Sequence, residues 1–300
     1  MSSTENAFAK LNMTLRVKEL REDGFNDIEA ITLFCKDFVD ILTVEHQINK
    51  GDELLTLNHK STTDKDLILD DTNLILRAYN IFNSELEKKS IEPEPFIFEI
   101  EKHIPSRAGL GGGSADCAAT LRILNSFYSN IFTINELIAM ASILGSDIAG
   151  CVHSKALTMT GRGEKVKVFE SDLNFLDEFQ VLAITPNIFC STPQVYQHYD
   201  DIHRPTHAGI SSPEGFGFLS DNFHNDLEIA ALDLDSELRE FKEHIESLTN
   251  KKFMLAGSGS SIFVILKTQE AEYLKILLED KLSNELIHEK IRQLCVSAIC

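Results

Sequence analysis

The sequence predicts a fold of mixed helix and strand content, divided between two domains. Three observations carry this expectation. At 300 residues the chain exceeds what one hydrophobic core usually serves, so two units of roughly 150 residues are expected. Stretches of period-two alternation rich in β-branched residues are interleaved with stretches of helical period. A connection crowded with glycine, Gly109, Gly111, Gly112 and Gly113, joins one of those strands to one of those helices.

In chain order, a short polar tail precedes Ala7 to Val17, whose loose alternation reads as a strand, with Lys10 an unusual charge among its apolar residues. Glu22-Asp-Gly24 is a turn, and Ile28 to Val44 suits one or two further strands. Hairpin-like strands follow around Glu53 to Leu57. Asp71 to Leu86 places Leu74, Ala78, Ile81 and Phe82 at helical spacing, with Asp71 or Thr72 able to cap its start. Glu94 to Ile104 carries Phe96, Phe98 and Ile100 on one face and delivers the chain into Pro105 and the glycine loop. From Ser114 a helix runs with Cys117, Leu121, Leu124 and Tyr128 on one stripe.

Thr133-Ile-Asn-Glu136 is a capping box that starts a helix ending at Gly145, followed at once by Ser146 and Asp147. Strands at Ala156 to Thr160 and Lys165 to Phe169 flank Gly161-Arg-Gly163. The acidic stretch Glu170 to Glu178 precedes a strand at Gln180 to Thr185, and the domain boundary is placed there, giving domains of residues 1–169 and 170–300. Residues 198–221 read as a long loop. Beyond it come a helix entered at Asn225 to Glu228, a helix at Ser236 to Leu248, a strand–Gly/Ser turn–strand unit at Phe253 to Leu266, a helix at Glu270 to Leu282 and a last strand near Cys295 to Ile299.

A net charge of −19 argues against a nucleic-acid or anionic-membrane partner, so an anionic small ligand has to be held locally. No basic-plus-apolar leader and no apolar run of membrane length is present, and the chain reads as cytoplasmic. Cys35, Cys117, Cys151, Cys190, Cys295 and Cys300 lack C-x-x-C spacing and read as buried thiols. His198, His203 and His207 lie close together without a metal-ligand pattern, and no metal site is assigned.

The glycine loop has the chemistry of an anion site, because glycines expose backbone N–H groups and the following helix directs its orphan donors and dipole at the same place. It is not a Walker A loop, since Gly113 is followed by Ser114 and Ala115 with no lysine. Nor is it the dinucleotide fingerprint, which would need Gly at 114.

Joined in order, Lys10 in AKLN (Ala9 to Asn12), REDGF (Arg21 to Phe25), DTNLILRA (Asp71 to Ala78), GLGGGSAD (Gly109 to Asp116), Gly145-Ser-Asp147, TGRGEKV (Thr160 to Val166), NDLE (Asn225 to Glu228) and Ala256-Gly-Ser-Gly-Ser-Ser261 resemble the GHMP small-molecule kinases over nearly the whole chain. Within them, the resemblance is to the branch acting on a diphosphocytidyl sugar alcohol. It implies an α+β fold, with an N-terminal domain like ribosomal protein S5 domain 2 and a C-terminal ferredoxin-like domain around a shared cleft. It also implies transfer of the ATP γ-phosphoryl group to the 2-hydroxyl of the acceptor, with Mg²⁺ accompanying ATP, Asp147 as base and Lys10 beside it.

By the same resemblance Asn73 and Lys102 lie at the adenine end, and Pro105, Gly109, Leu110, Gly111, Gly112, Gly113 and Ser114 hold the phosphates. Asn12, Phe25, Asn26, Thr192 and Tyr196 contact the acceptor, and Phe25 and Tyr196 suit a planar base. The chain departs from the family at Phe25-Asn26, where Tyr-His is usual, at Ile148 to Val152 after Asp147, at Ser154-Lys155, at Ala115 and at Phe8. These changes bear on the acceptor more than on phosphoryl transfer. Mevalonate-like or homoserine-like alcohols are the alternative acceptors, and a silent nucleotide sensor is disfavoured because Lys10 and Asp147 are both present.

Overall fold

The computed structural model describes residues 2–47, 55–61, 70–170, 173–202, 219, 222–283 and 291–300. Two sheets organise them. The first has strand order β3-β4-β2-β1-β8, built from β3 (Leu55–Ser61), β4 (Phe96–Lys102), β2 (Asn26–His46), β1 (Ser2–Leu20) and β8 (His224–Asn225). β5 (Leu157–Gly161) and β6 (Lys165–Val168) extend it from β2. The second sheet is antiparallel, in the order β11 (Ile291–Ala298), β7 (Phe179–Pro186), β10 (Ile262–Lys267), β9 (Met254–Leu255).

The β1–β2 hairpin is the frame of the molecule, and it is longer than its pattern implies. Residues 2–6, expected as a tail, pair with Leu42 to Glu45 plus Ile41, and β2 is a single strand. Arg21 to Phe25 turns the hairpin, with Gly24 at φ +82° where a side chain would strain the backbone. β2 serves two neighbours on one edge: residues 28–32 pair with β5, and residues 41–46 with β4. Between those stretches Phe34 exchanges backbone hydrogen bonds with Cys300, which joins the end of the chain to the first sheet. β1 is covered on both faces, since Ala7, Leu15 and Val17 belong to one core and Ala9, Leu11 and Met13 to another.

Helices α2 (Gly112–Phe127) and α4 (Ile148–His153) pack on the first sheet, and α1 (Leu74–Lys88) and α3 (Ile134–Leu144) pack against them. Cys117, Leu121 and Leu124 face that core as expected, against Phe82, Phe96 and Phe98, each of which gains about 1.5–3 kcal/mol from burial. The capping box forms as expected: Thr133 Oγ1 accepts from Glu136 N–H, and Glu136 accepts in return from Thr133 N–H at 2.7 Å. At α1 the cap is instead Asn73, whose Oδ1 accepts from Ile75 N–H at 2.9 Å, while Asp70 holds Thr72.

Beyond the first sheet lie α5 (Thr192–Asp201), α6 (Leu227–Leu234), α7 (Ser236–Thr249) and α8 (Thr268–Ser283). Residues 198–201, read as loop, complete α5, because Val195 and Tyr199 bury one helical face; residues 203–218, 220 and 221 lie outside the described residues. His198 bonds Asp233 at 2.6 Å, and His203 and His207 also lie outside the description. Of the strand expected around Glu53 to Leu57, only residues from 55 are described, and they run parallel to β4 rather than in a hairpin. Cys35, Cys117 and Cys151 are buried; Cys190, Cys295 and Cys300 are half-buried, and burial still raises each thiol. Among the described residues no helix is long and apolar enough to cross a membrane.

Candidate active site

Lys10 and Asn12 stand two residues apart on β1, so strand periodicity aims both at the same face. Lys10 is only 4% exposed, and its Nζ donates to Asn12 Oδ1 at 3.0 Å while pairing with Asp147 Oδ2 at 2.8 Å. Asn12 in turn donates to Thr32 Oγ1 at 3.3 Å, so the ammonium is fixed from the sheet. Asp147 opens α4, but its side chain caps nothing there; its carboxylate remains 46% exposed, available to a ligand. Behind it the β5–β6 turn closes in, since a Cβ on Gly163 would lie 3.2 Å from the Ser146 carbonyl oxygen.

The glycine loop docks onto this pair. The pairing of β1 with β2 shifts between Phe8 and Lys10, and the Lys10 N–H donates to Leu110 O at 2.9 Å. Gly111 is the N-cap of α2 at φ +67°, so the helix begins two residues before Ser114, its expected start. No side chain caps this first turn, which leaves its N–H groups directed at whatever anion occupies the loop. A Cβ at Gly111 would lie 2.5 Å from Lys10 Cγ, and one at Gly109 would overlap the Ala256 carbonyl oxygen. Ser261 N–H donates to Ala108 O at 3.0 Å. The glycine loop thus contacts both Lys10 and the second Gly/Ser turn, which lie far from it in the chain.

Beneath the loop lies a buried charge cluster that the sequence reading lacked. Lys102, 3% exposed, pairs with Asp40 and, at 2.6 Å, with Asp116. Asp40 also accepts from the N–H groups of His103 at 2.6 Å and Ile104 at 2.7 Å, and a Cβ on Gly112 would lie 3.0 Å from Ile104 Cγ2. The cluster therefore sets the backbone that carries the loop. Burial raises the Asp116 carboxyl above the ordinary carboxylate range, against the attraction of Lys102, whose charge it shares with Asp40. Burial works against the Lys102 charge too, yet the two carboxylates hold its ammonium above the ordinary lysine value. The sequence offered little signal for it, since Asp40 is one of several charges along β2, beside Lys36 and Asp37.

The remaining expected residues divide. Tyr196, on α5, is raised by burial and then by the charge of Asp147. Thr192 Oγ1 lies 2.7 Å from Ser258 Oγ on the second Gly/Ser turn. Phe25 is 50% exposed at the hairpin tip, with the Arg162 guanidinium 5.0 Å above its ring. Asn26 is buried and donates to Asp200 Oδ1 at 3.0 Å and to Lys18 O, so its amide ties the hairpin to α5. Asn73 caps α1; the next residue, Leu74, lies against Gly113, whose Cβ would be 3.5 Å from Leu74 Cδ1. Pro105 is buried where the chain enters the loop, and Ser114 is half-buried in the first turn of α2. A separate cavity of about 500 Å³, lined by Cys190, Gln194, His198 and Leu234 among others, contains none of the expected site residues.

A buried lysine against a half-exposed aspartate, beside an uncapped helix N-terminus in a glycine loop, can hold a phosphate chain and receive a proton. Comparison with known proteins gives the family. Residues 73–155 match the model of the GHMP kinases N terminal domain. A protein of Protochlamydia amoebophila named 4-diphosphocytidyl-2-C-methyl-D-erythritol kinase is 32% identical, covering 86% of this chain and 82% of its own. One of the same name from Fusobacterium nucleatum is 29% identical, covering 92% of each. A crystal structure of 4-(cytidine 5'-diphospho)-2C-methyl-D-erythritol kinase superposes with a TM-score of 0.71 at 25% identity, over 93% of this chain and 96% of that one. The chain belongs to the GHMP kinases, in the family of the 4-diphosphocytidyl-2-C-methyl-D-erythritol kinases.

Proposed function

We propose that this chain transfers the γ-phosphoryl group of ATP to the 2-hydroxyl of 4-diphosphocytidyl-2-C-methyl-D-erythritol, a step of isoprenoid precursor synthesis by the non-mevalonate route. The observation that carries the reading is the 2.8 Å pair between Lys10 and Asp147 in contact with the glycine loop. Asp147 Oδ takes the proton as the acceptor hydroxyl oxygen bonds to the γ-phosphorus, and the bond to the bridging oxygen of ADP breaks. Lys10, steadied by Asn12, orients that carboxylate and can donate to the reacting oxygen. Gly109 to Ser114 cradle the triphosphate with backbone N–H groups.

Mg²⁺, when bound, neutralises charge on the transferring phosphates. Ion and nucleotide enter together in this reading, with the ion carried mainly by phosphate oxygens and water. Asn73 and Lys102 remain at the adenine end of the proposal through the backbone they fix, with the Lys102 ammonium engaged by Asp40 and Asp116. Phe25, Asn26, Thr192 and Tyr196 form the acceptor side, and a cytoplasmic location fits the substrate. The domain division at residues 169 and 170 is supported by the first sheet, all of whose strands except β8 precede it.

The test is ADP release by purified protein with ATP, Mg²⁺ and the diphosphocytidyl acceptor, run beside mevalonate and homoserine. Turnover confined to the first acceptor is expected. No ADP above the blank would refute the reaction, and turnover of another alcohol would reassign the acceptor.

A further inference from the structure

The acceptor side is acidic, and several of its cations are engaged by carboxylates. Lys18 pairs with Glu29 at 3.0 Å, and Arg21 with Asp27 at 2.9 Å and with Asp23. Lys10 is held by Asp147. Arg162, among the described residues, makes no ion pair, and its guanidinium Cζ lies 5.0 Å from the Phe25 ring centroid in a cation–π contact. Its charge is felt at Asp23, where burial is outweighed by hydrogen bonds from Arg21 and Phe25 N–H and by the charges of Arg21 and Arg162.

The turn that presents Arg162 is built for one geometry. Gly161 at φ +71° and Gly163 at φ +119° flank it, and its N–H donates to Glu164 Oε2 at 2.7 Å. Gly163 abuts the Ser146 carbonyl, one residue from Asp147. The turn that carries Arg162 thus reaches Phe25, the expected partner of the base, through the guanidinium, and through Gly163 it abuts the residue before Asp147, the expected base for the reacting hydroxyl. In the acceptor the diphosphate lies between cytosine and the alcohol. A guanidinium held over a ring keeps its N–H edges in plane, which suits bidentate binding of phosphate oxygens.

Resting on the proposed function, we propose that Arg162 is a specificity-determining residue that grips the diphosphate of the acceptor while Phe25 fixes its plane. Against a chain of net charge −19, a multiply charged diphosphate needs such a cation. Among the described residues, it meets Phe25, Glu164 and the charge of Asp23, not the glycine loop.

The probes are cytidine and cytidine diphosphate, titrated calorimetrically with a non-hydrolysable ATP analogue filling the nucleotide site. Wild type should prefer cytidine diphosphate, and Arg162→Gln, which keeps a planar group over Phe25 without the charge, should lower that preference roughly 10- to 100-fold. Arg162→Lys should recover part of it. In turnover, the KM for the diphosphocytidyl acceptor should rise in both variants while the KM for ATP moves less than twofold. An equal preference in wild type and Arg162→Gln would overturn the clamp, whatever the turnover. If wild type shows the preference, loses it in Arg162→Gln, and yet phosphorylates no diphosphocytidyl acceptor, the clamp stands and the proposed reaction falls.

Discussion

Alanine at position 111 would test the docking of the glycine loop on the lysine. The added Cβ lies 2.5 Å from Lys10 Cγ, well inside contact distance, and neither partner can yield cheaply. Lys10 is tied at its backbone N–H to Leu110 O and at its Nζ to Asn12 and Asp147. Gly111 itself sits at φ +67°, where an alanine costs about 1–2 kcal/mol. Overpacking adds about 1–3 kcal/mol. The total of about 2–5 kcal/mol leaves a folded protein if stability is typical at about 5–15 kcal/mol. The melting temperature should fall, and Lys10 should be displaced from Asp147; a misplacement of about 1 Å can cost roughly 100-fold in rate. Gly113→Ala is the companion, since its Cβ meets only Leu74 Cδ1 at 3.5 Å and the backbone is helical, so the fold should tolerate it. Thermal melts and coupled ADP release on both variants give the answer. If Gly111→Ala melts and turns over like wild type, the loop does not rest on Lys10 and the reasoning fails.

Two predictions concern the buried cluster. Lys102→Met leaves Asp40 and Asp116 without their shared cation and should cost about 3–5 kcal/mol, read as a lower urea midpoint; a midpoint equal to wild type would contradict the assignment. Asp116→Asn addresses pH. Because burial raises the Asp116 carboxyl, the folded state binds its proton more tightly than the unfolded one, so stability is lost as pH rises from the ordinary carboxylate range through the raised value. The variant lacks that loss, and its stability relative to wild type should grow with pH in that window; a constant difference in melts from acid to neutral pH would refute it.

What the sequence disclosed was local. Thr133 and Glu136 cap within four residues, and Gly109 and Gly111 take the left-handed φ that glycine favours. Lys10 stood out because a charge in an apolar strand has no local explanation, and the resemblance then gave it a partner in Asp147. Asp40 stood among other charges of β2, and its partners Lys102 and Asp116 lie on another strand and on α2, with no period connecting them. The cap of α1 passed to Asn73 because Asp70 had already engaged Thr72. β8 was illegible for a similar reason: two residues, His224 and Asn225, pair with Thr14 and Leu15 across some two hundred positions, a contact set by tertiary packing. Arg162 and Phe25 meet only because two turns of one sheet converge.

The measurement that bears most directly on the account is single-turnover ADP formation by wild type and Asp147→Asn, with ATP, Mg²⁺ and the diphosphocytidyl acceptor, alongside nucleotide binding. The substitution keeps the shape of the side chain and removes the charge that pairs with Lys10 at 2.8 Å. The rate should fall by roughly 10²–10⁴-fold while ATP still binds through the loop. A variant that forms ADP at the wild-type rate would show that Asp147 is not the base, and the central assignment would be wrong.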